Sequence, residues 1–448
     1  MSTPPLATWQ SLSPPIAAAQ SARGSSRWAL ALVAVLIGLA FFFTEHALDI
    51  SLADAYTQTA DEMEVTALGG NGLRRIIFLG IAGLGLWLVA TARNQPLRVH
   101  WPLAGAIGGY LAISVASYLW SVDRGLCLRR LIVIACCTLA ALGIARRFTM
   151  RELCLLVVAT IGPLTLIGVL AELRLGTFRP WSGDYRFSGS VHPNTQGMYL
   201  TTLALASLGL ARSALRGRTL FWTIFAASFV LLILTKSRTG TAATMVAFGV
   251  VFLLQTSASF KLTVGILLAG ASVLAAWLVM LCGIDPLVDF YDALLLGRAE
   301  ESDTLSGRAF IWPAVGHYIA QRPWLGYGYE SFWNPGQIDV ISDQLGWGLR
   351  EAHNGYLDVL LSTGIVGLTC AVAAISLGFV AAVRGSVSLR DPAYALPVGL
   401  LVFGVLSSCM ESGMVNVMFP PFLLACSLLR MALFAEQAAP SLPRTNDR

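Results

Sequence analysis

Residues 351–383 read EAHNGYLDVLLSTGIVGLTCAVAAISLGFVAAV, and this stretch decides the fold. From Leu357 to Val383 the chain is apolar with few interruptions. That run is longer than the roughly 20 residues an α-helix needs to cross the hydrocarbon core of a bilayer. A short polar block stands directly before it and carries His353, one of five histidines in the chain. Such a histidine either closes off a helix end or performs chemistry at a boundary between water and lipid.

Comparable apolar blocks recur along the 448 residues, which are 56% hydrophobic and only 12% charged. Soluble domains carry roughly 25% charged residues, so the composition excludes a soluble globular protein and implies an all-α polytopic membrane protein. Candidate spans fall near 28–44, 75–91, 102–120, 130–145, 153–170, 193–210, 219–235, 240–256, 262–281, 355–383, 393–411 and 414–434, about twelve transmembrane helices. The eight cysteines show no paired metal-site spacing and lie mostly inside apolar blocks. They read as small buried hydrophobes, with no disulfide framework.

An even number of spans puts both termini on one side. The predicted organisation is a disordered tail at 1–27 rich in Pro, Ser and Ala, helices 1–9 within 28–281, one large polar loop at 282–353, helices 10–12 within 354–434, and a second tail at 435–448. With the termini cytoplasmic, 16 of the 30 Lys and Arg fall inside; of the 14 outside, four lie in the long loop. Long loops weigh little in the positive-inside rule, so the effective split is 16 to 10 and favours this orientation.

The outer cations need a reason of their own. Some snorkel or pair with outer acids, whereas a cluster of them suits an anion such as phosphate, whose oxygens match the guanidinium fork. Three short outer segments concentrate polar groups at helix starts: RFSGSVHPN (186–194) with Arg186, His192 and Asn194; KSRTG (236–240) with Lys236 and Arg238; and HNGYLD (353–358) with His353, Asn354 and Asp358. The long loop adds SGRAFIWPAVGHYIAQRPWLGYGYESFW (306–333). Its spacing predicts an amphipathic helix over Arg308–Ala320, closed by Gln321-Arg322-Pro323 because proline cannot continue a helix. The rings that follow, Trp324, Tyr327 and Tyr329, suit either stacking against sugar faces or anchoring at the lipid interface. His317 reads as a polar-face residue of that helix, and His46 and His100 suggest no role.

These segments, in this order, resemble the O-antigen ligase and polymerase family of bacterial envelope glycosyltransferases. The likeness rests on RFSGSVHPN, SRTG, SGRAFIW…QRPWLGYGYESFW and HNGYLDVLLSTGIVGL, and spans roughly helices five to eleven. Within the family the loop looks most like the exopolysaccharide polymerase branch. The resemblance implies a GT-C-type architecture in the bacterial inner membrane, with the large loop between helices 9 and 10 and the active site periplasmic. It further implies a metal-independent, cofactor-free enzyme whose donor is a polyprenyl-diphosphate-linked glycan and whose acceptor is a glycan or the lipid A core. Membrane lipids and other polysaccharide-assembly proteins are the implied partners, and nucleic acid is not. His353 matches the essential histidine that activates the acceptor, and Arg308, Arg238 and Arg186 match the arginines that hold the lipid diphosphate. Lys236 stands beside them.

The residues themselves support a compatible chemistry. A diphosphate leaving group gathers negative charge as the glycosidic bond breaks, and preorganised cations stabilise it without a metal. Attack by an acceptor hydroxyl from the opposite side predicts inversion. A neutral imidazole of ordinary pKa, roughly 6.5, would take the hydroxyl proton, with Asp358 orienting His353 or pairing with an arginine, and with Asn354 and His192 in support. Against this, His353 is read as a polar cap satisfied by loop backbone. The rival functions are ligation to lipid A core, transport of the lipid-linked glycan, and a structural scaffold. A transporter would concentrate charge or broken helices near the midplane.

Overall fold

The computed structural model describes residues 16–45, 72–92, 97–183, 185–213, 217–254, 308–345 and 349–434, with scattered positions between 256 and 267; the side chains of 16–26, 308 and 309 lie outside that description. In chain order the helices are α1 (Ile16–Glu45), α2 (Gly72–Thr91), α3 (Trp101–Ala116), α4 (Arg124–Arg147), α5 (Met150–Leu175), α6 (Pro193–Ser213), α7 (Arg218–Leu234), α8 (Arg238–Leu254), α9 (Arg308–Gln321), α10 (Pro335–Leu345), α11 (Gly355–Ser388), α12 (Ala395–Ser407) and α13 (Phe419–Leu433). Among the described residues there is no strand, only an isolated bridge between Leu97 and Phe434.

Six of these helices, α1 to α5 and α11, are long and apolar enough to cross a membrane, and α7, α8, α12 and α13 are shorter apolar helices. Their outward faces carry exposed Leu79, Leu86, Ile132, Leu166, Val230 and Val380, the surface expected of helices solvated by lipid. Eleven of the predicted spans coincide with helices (28–44 with α1, then α2 to α8 and α11 to α13). The ninth, 262–281, lies outside the described residues apart from positions at its start, as do 1–15 and 435–448 of the two predicted tails. The helix α1 begins at Ile16, within the segment expected to be a disordered tail, because the Ala-rich stretch before Arg27 continues the helical register of the span.

Local chemistry sets the helix ends. Asp123 caps α4 by accepting from the Leu126 amide at 2.8 Å. Thr149 and Glu152 form a reciprocal capping box at the start of α5, which satisfies two orphan amides. Inside the bundle the helices approach through small residues: a Cβ on Gly85 of α2 would lie 2.3 Å from the Leu139 carbonyl of α4, and one on Gly143 2.4 Å from the Gly85 carbonyl. Close backbone contact of this kind is how helices pack where no hydrophobic force separates protein from lipid.

The described part of the long polar segment, 308–345 and 349–353, is anchored to the bundle. The helix expected over Arg308–Ala320 corresponds to α9, which buries Ile311 and Val315 against Tyr327, Phe332, Ile341, Leu349, Ala352 and Leu361 and leaves Phe310 exposed. Residues 323–328 then insert into a break in α11. Gly364, at φ 65° and ψ −165°, interrupts the helix. The carbonyls of Leu361 and Ser362 accept from the amides of Tyr327 (2.7 Å) and Gly328 (3.0 Å), and the amides of Ile365 and Val366 donate to Pro323 (2.8 Å) and Trp324 (3.3 Å). The loop thus satisfies the backbone groups that the break would orphan, which is the condition for non-helical backbone at a membrane. Only glycine fits here, since a Cβ would lie 2.3 Å from the Trp324 carbonyl carbon.

Candidate active site

Four polar segments meet where α6, α8, α11 and the α12–α13 turn share one end. The block before α11 is ordered by Asn354, whose side-chain oxygen accepts from the amides of Tyr356 (3.0 Å) and Leu357 (3.2 Å) while its amide donates to the Cys409 carbonyl at 3.1 Å. Asn354 therefore holds the capping role, and the reading of His353 as the cap falls away. His353 itself sits at φ 48°, a left-handed conformation that costs energy for any residue with a Cβ and marks functional loops.

His353 is turned onto carboxylates. Its Nδ1 lies 3.1 Å from Glu351 Oε1 and 3.9 Å from Glu411 Oε2. Asn416 donates to the other oxygen of Glu351 at 2.9 Å. The other oxygen of Glu411 accepts from the Asn194 side chain at 2.7 Å, whose carbonyl in turn accepts from Arg186 at 2.9 Å. Arg186 Nε also donates to the Thr235 carbonyl at 3.0 Å, just ahead of Lys236 and Arg238. A polar chain therefore runs Arg186–Asn194–Glu411–His353–Glu351, in which the Glu411–His353 step is a charge contact at 3.9 Å.

This chain changes the acid–base reading. Burial alone would lower the His353 pKa, but the hydrogen bonds and charges of Glu351 and Glu411 outweigh it and push it up to about 9. Burial likewise works to raise Glu351, but His353 and Asn416 hold its carboxyl below the usual value. The expected neutral imidazole of ordinary pKa is thus replaced by an imidazolium at neutral pH, because two acids accompany it. His192 is the opposite case: burial drives it down to about 4, against the pull of Glu411, so it is neutral. Its Nδ1 accepts from the Asn194 amide at 3.2 Å, which places it as a support for the asparagine.

Asp358 does not reach His353. Its carboxylate accepts from the Ala352 amide (3.1 Å), from the Trp333 indole (2.8 Å) and from the Ser412 hydroxyl. It therefore ties the histidine segment, the aromatic loop and the α12–α13 turn together from beneath. Lys236, at φ 49°, donates to the Gly183 carbonyl, and Arg238 opens α8 at the same turn, partly buried. Arg308 opens α9, with its side chain outside the described residues.

The aromatic assignments need correction. Tyr327 and Tyr329 are 7% and 4% exposed. Tyr327 packs edge-on against Phe332 and donates to the Tyr318 carbonyl at 2.8 Å, within the core of the loop; Tyr329 is buried where its amide donates to the Ser117 hydroxyl at 2.8 Å, so neither ring presents an open face to a sugar. Trp324 is 67% exposed. Glu351, Glu411 and Asn416 were not singled out from the sequence. The signal was present in one respect: ESGM (411–414) puts an acid in a tight turn between two apolar spans.

The ligand atoms of Glu351, His353 and Glu411 lie within 4.8 Å of one another, a spacing that also suits a cation. The 3.1 Å contact of Nδ1 with Glu351 is equally an ion-pair geometry.

Residues 223–372 match the O-antigen ligase family. This match and the two relatives below support the O-antigen ligase and polymerase-like family for the chain. The matched region carries Lys236, Arg238, Arg308 and His353, while Arg186, His192 and Glu411 fall on either side of it. Over 106 residues, 24% of this chain and 24% of the relative, the chain is 34% identical to an O-antigen ligase of Pseudomonas aeruginosa; the similarity thus spans about a quarter of that ligase. Over 354 residues, 72% of this chain and 75% of the relative, it is 25% identical to the exopolysaccharide production protein ExoQ of Rhizobium meliloti. Among the described residues the chain is all-helical, with several helices long and apolar enough to cross a membrane.

Proposed function

We propose that this chain is an inner-membrane glycosyltransferase that polymerises polyprenyl-diphosphate-linked repeat units into exopolysaccharide at the periplasmic face, without a metal ion. Both termini are then cytoplasmic, and the segment 282–353 is the periplasmic loop. The observation that carries the reading is the pairing of His353 Nδ1 with Glu351 at 3.1 Å, joined through Glu411 and Asn194 to Arg186. A base, the carboxylate that orients it and a cation for an anionic leaving group stand in one connected array.

In the reaction, the deprotonated fraction of His353 acts: Nδ1–H stays directed at Glu351, and the free Nε2 takes the proton of the acceptor hydroxyl. The hydroxyl oxygen bonds to the anomeric carbon as the bond from that carbon to the diphosphate breaks, with inversion. The carboxylate fixes the tautomer and stabilises the imidazolium formed, as in other carboxylate–histidine pairs. Arg186, Arg238, Arg308 and Lys236 receive the charge that develops on the diphosphate, a stabilisation worth most in a water-poor site.

The similarity that covers most of the chain is to an exopolysaccharide production protein, which weights the proposal toward polymer formation. The shorter similarity to an O-antigen ligase supports a second reading, transfer of the finished glycan to lipid A core. Purified protein given a lipid-diphosphate-linked repeat unit, with and without lipid A core, separates them. A ladder of longer lipid-linked glycans is the expected product; transfer to the core alone makes the enzyme a ligase, and passage across liposomes without bond formation makes it a transporter.

A further inference from the structure

Glu172 sits in the last turn of α5, 2% exposed. A carboxylate at a helix C-terminus opposes the helix dipole, and burying one without partners is costly. Here the partners all come from one loop. Its Oε1 accepts from the Ser188 amide (3.0 Å), the Ser188 hydroxyl (3.2 Å) and the Gly189 amide (2.8 Å), and its Oε2 accepts from the Tyr185 hydroxyl at 2.6 Å. One turn earlier on the same face is Gly168, where a Cβ would lie 2.8 Å from the Gly189 Cα. The helix thus offers a bare patch for the loop backbone to lie on and an acid that grips it.

The gripped residues are Tyr185 to Gly189, which carry Arg186 in their middle and lead directly to His192 and Asn194. The Phe187 amide donates to the Leu234 carbonyl at 2.8 Å, and Arg186 Nε donates to the Thr235 carbonyl at 3.0 Å. The loop is therefore fixed on one side by Glu172 and on the other by the end of α7.

We infer that Glu172 is a positioning residue, whose carboxylate sets the 185–189 backbone so that Arg186 and Asn194 reach Glu411 and His353. The inference rests on the reading of Arg186 as a diphosphate-holding residue. The side chain is needed for two hydrogen-bonding groups at this reach, one of them an accepting oxygen. Glu172→Gln keeps an oxygen for the Ser188 and Gly189 amides and lets the Tyr185 hydroxyl accept from the new N–H. Glu172→Asp is one methylene too short.

The test uses full-length protein in nanodiscs, with polyprenyl diphosphate as the binding probe and hydrogen exchange of the 185–194 amides as a second readout. Glu172→Ala is expected to raise exchange in 185–194 while the other helices keep wild-type protection, and to weaken probe binding about tenfold, the scale of a displaced charge-assisted contact. The Glu172→Ala/Arg186→Ala double variant binds no more weakly than Arg186→Ala, because coupled residues are not additive. Glu172→Gln restores wild-type exchange and binding, and Glu172→Asp does not. Unchanged exchange in Glu172→Ala, or effects of the two substitutions that simply add, would overturn the inference. If Arg186→Ala alone leaves binding unchanged, the diphosphate reading of Arg186 fails, while the exchange data still decide whether Glu172 positions the loop.

Discussion

His353 Nδ1 and Glu351 Oε1 lie 3.1 Å apart, two residues apart in sequence, with the intervening backbone turned so that His353 adopts φ 48°. This contact makes the histidine a strong base that is mostly protonated at neutral pH, with a pKa near 9. If Nε2 accepts the acceptor proton, kcat/KM of the wild type rises with pH from neutrality with its midpoint near 9 and levels above it. Glu351→Gln removes the nearer carboxylate, so the limb moves toward the ordinary imidazole value, roughly 6.5, and the plateau falls. A pH–rate profile of both proteins checks the shift; coincident profiles would refute the pairing.

The same pair links pH to stability. His353 has a folded pKa raised above its unfolded value, so its contribution is fully present below about 6.5 and is lost as pH rises through about 9. Glu351 has a folded pKa held down, so its contribution is present above its unfolded value, about 4.3, and is lost at more acid pH. Thermal unfolding in detergent should show the wild type gaining most over His353→Ala between these limits, and the gap should narrow toward pH 10.

Asn194 links Arg186 to Glu411 through two side-chain hydrogen bonds. Asn194→Ala leaves both charges in place and severs the connection. The expected result is a donor KM raised about tenfold, the loss typical of a broken hydrogen bond to charged groups, with the His353-dependent pH limb retained. Steady-state kinetics against donor concentration measures it.

Gly364→Ala tests the docking of the loop. A Cβ at φ 65° would strike the Trp324 carbonyl, and backbone strain of this kind costs about 1–3 kcal/mol. We expect a lower unfolding temperature and faster proteolysis between 321 and 333 than in wild type, where the four exchanged backbone bonds protect that stretch.

The sequence made the bundle legible because apolar blocks of spanning length admit only one regular structure in lipid, and the two tight turns and the α9 helix carried ordinary breakers. His353, Arg186 and Asn354 were legible because each stands at a helix start in a polar segment. Glu351 and Glu411 were not, since their meaning depends on α12–α13 returning to the start of α11, a contact across 60 positions that no periodicity records. The same holds for Tyr327 and Tyr329. An aromatic-rich loop looks like a sugar platform until Tyr327 is found packed on Tyr318 and Phe332 and Tyr329 is found buried. Asp358 looked like a partner for His353 and is instead a clamp on three segments, because α11 turns its side chain toward Trp333 and Ser412.

The most direct test is the turnover of a lipid-diphosphate-linked repeat unit by His353→Ala relative to wild type, in EDTA, with equal amounts of folded protein confirmed by unfolding temperature. General-base catalysis contributes about 10²–10⁴-fold, so a loss in that range with wild-type activity undiminished by EDTA is the predicted result. Activity within a few-fold of wild type, or a wild type that stops when metal is removed, would contradict the account.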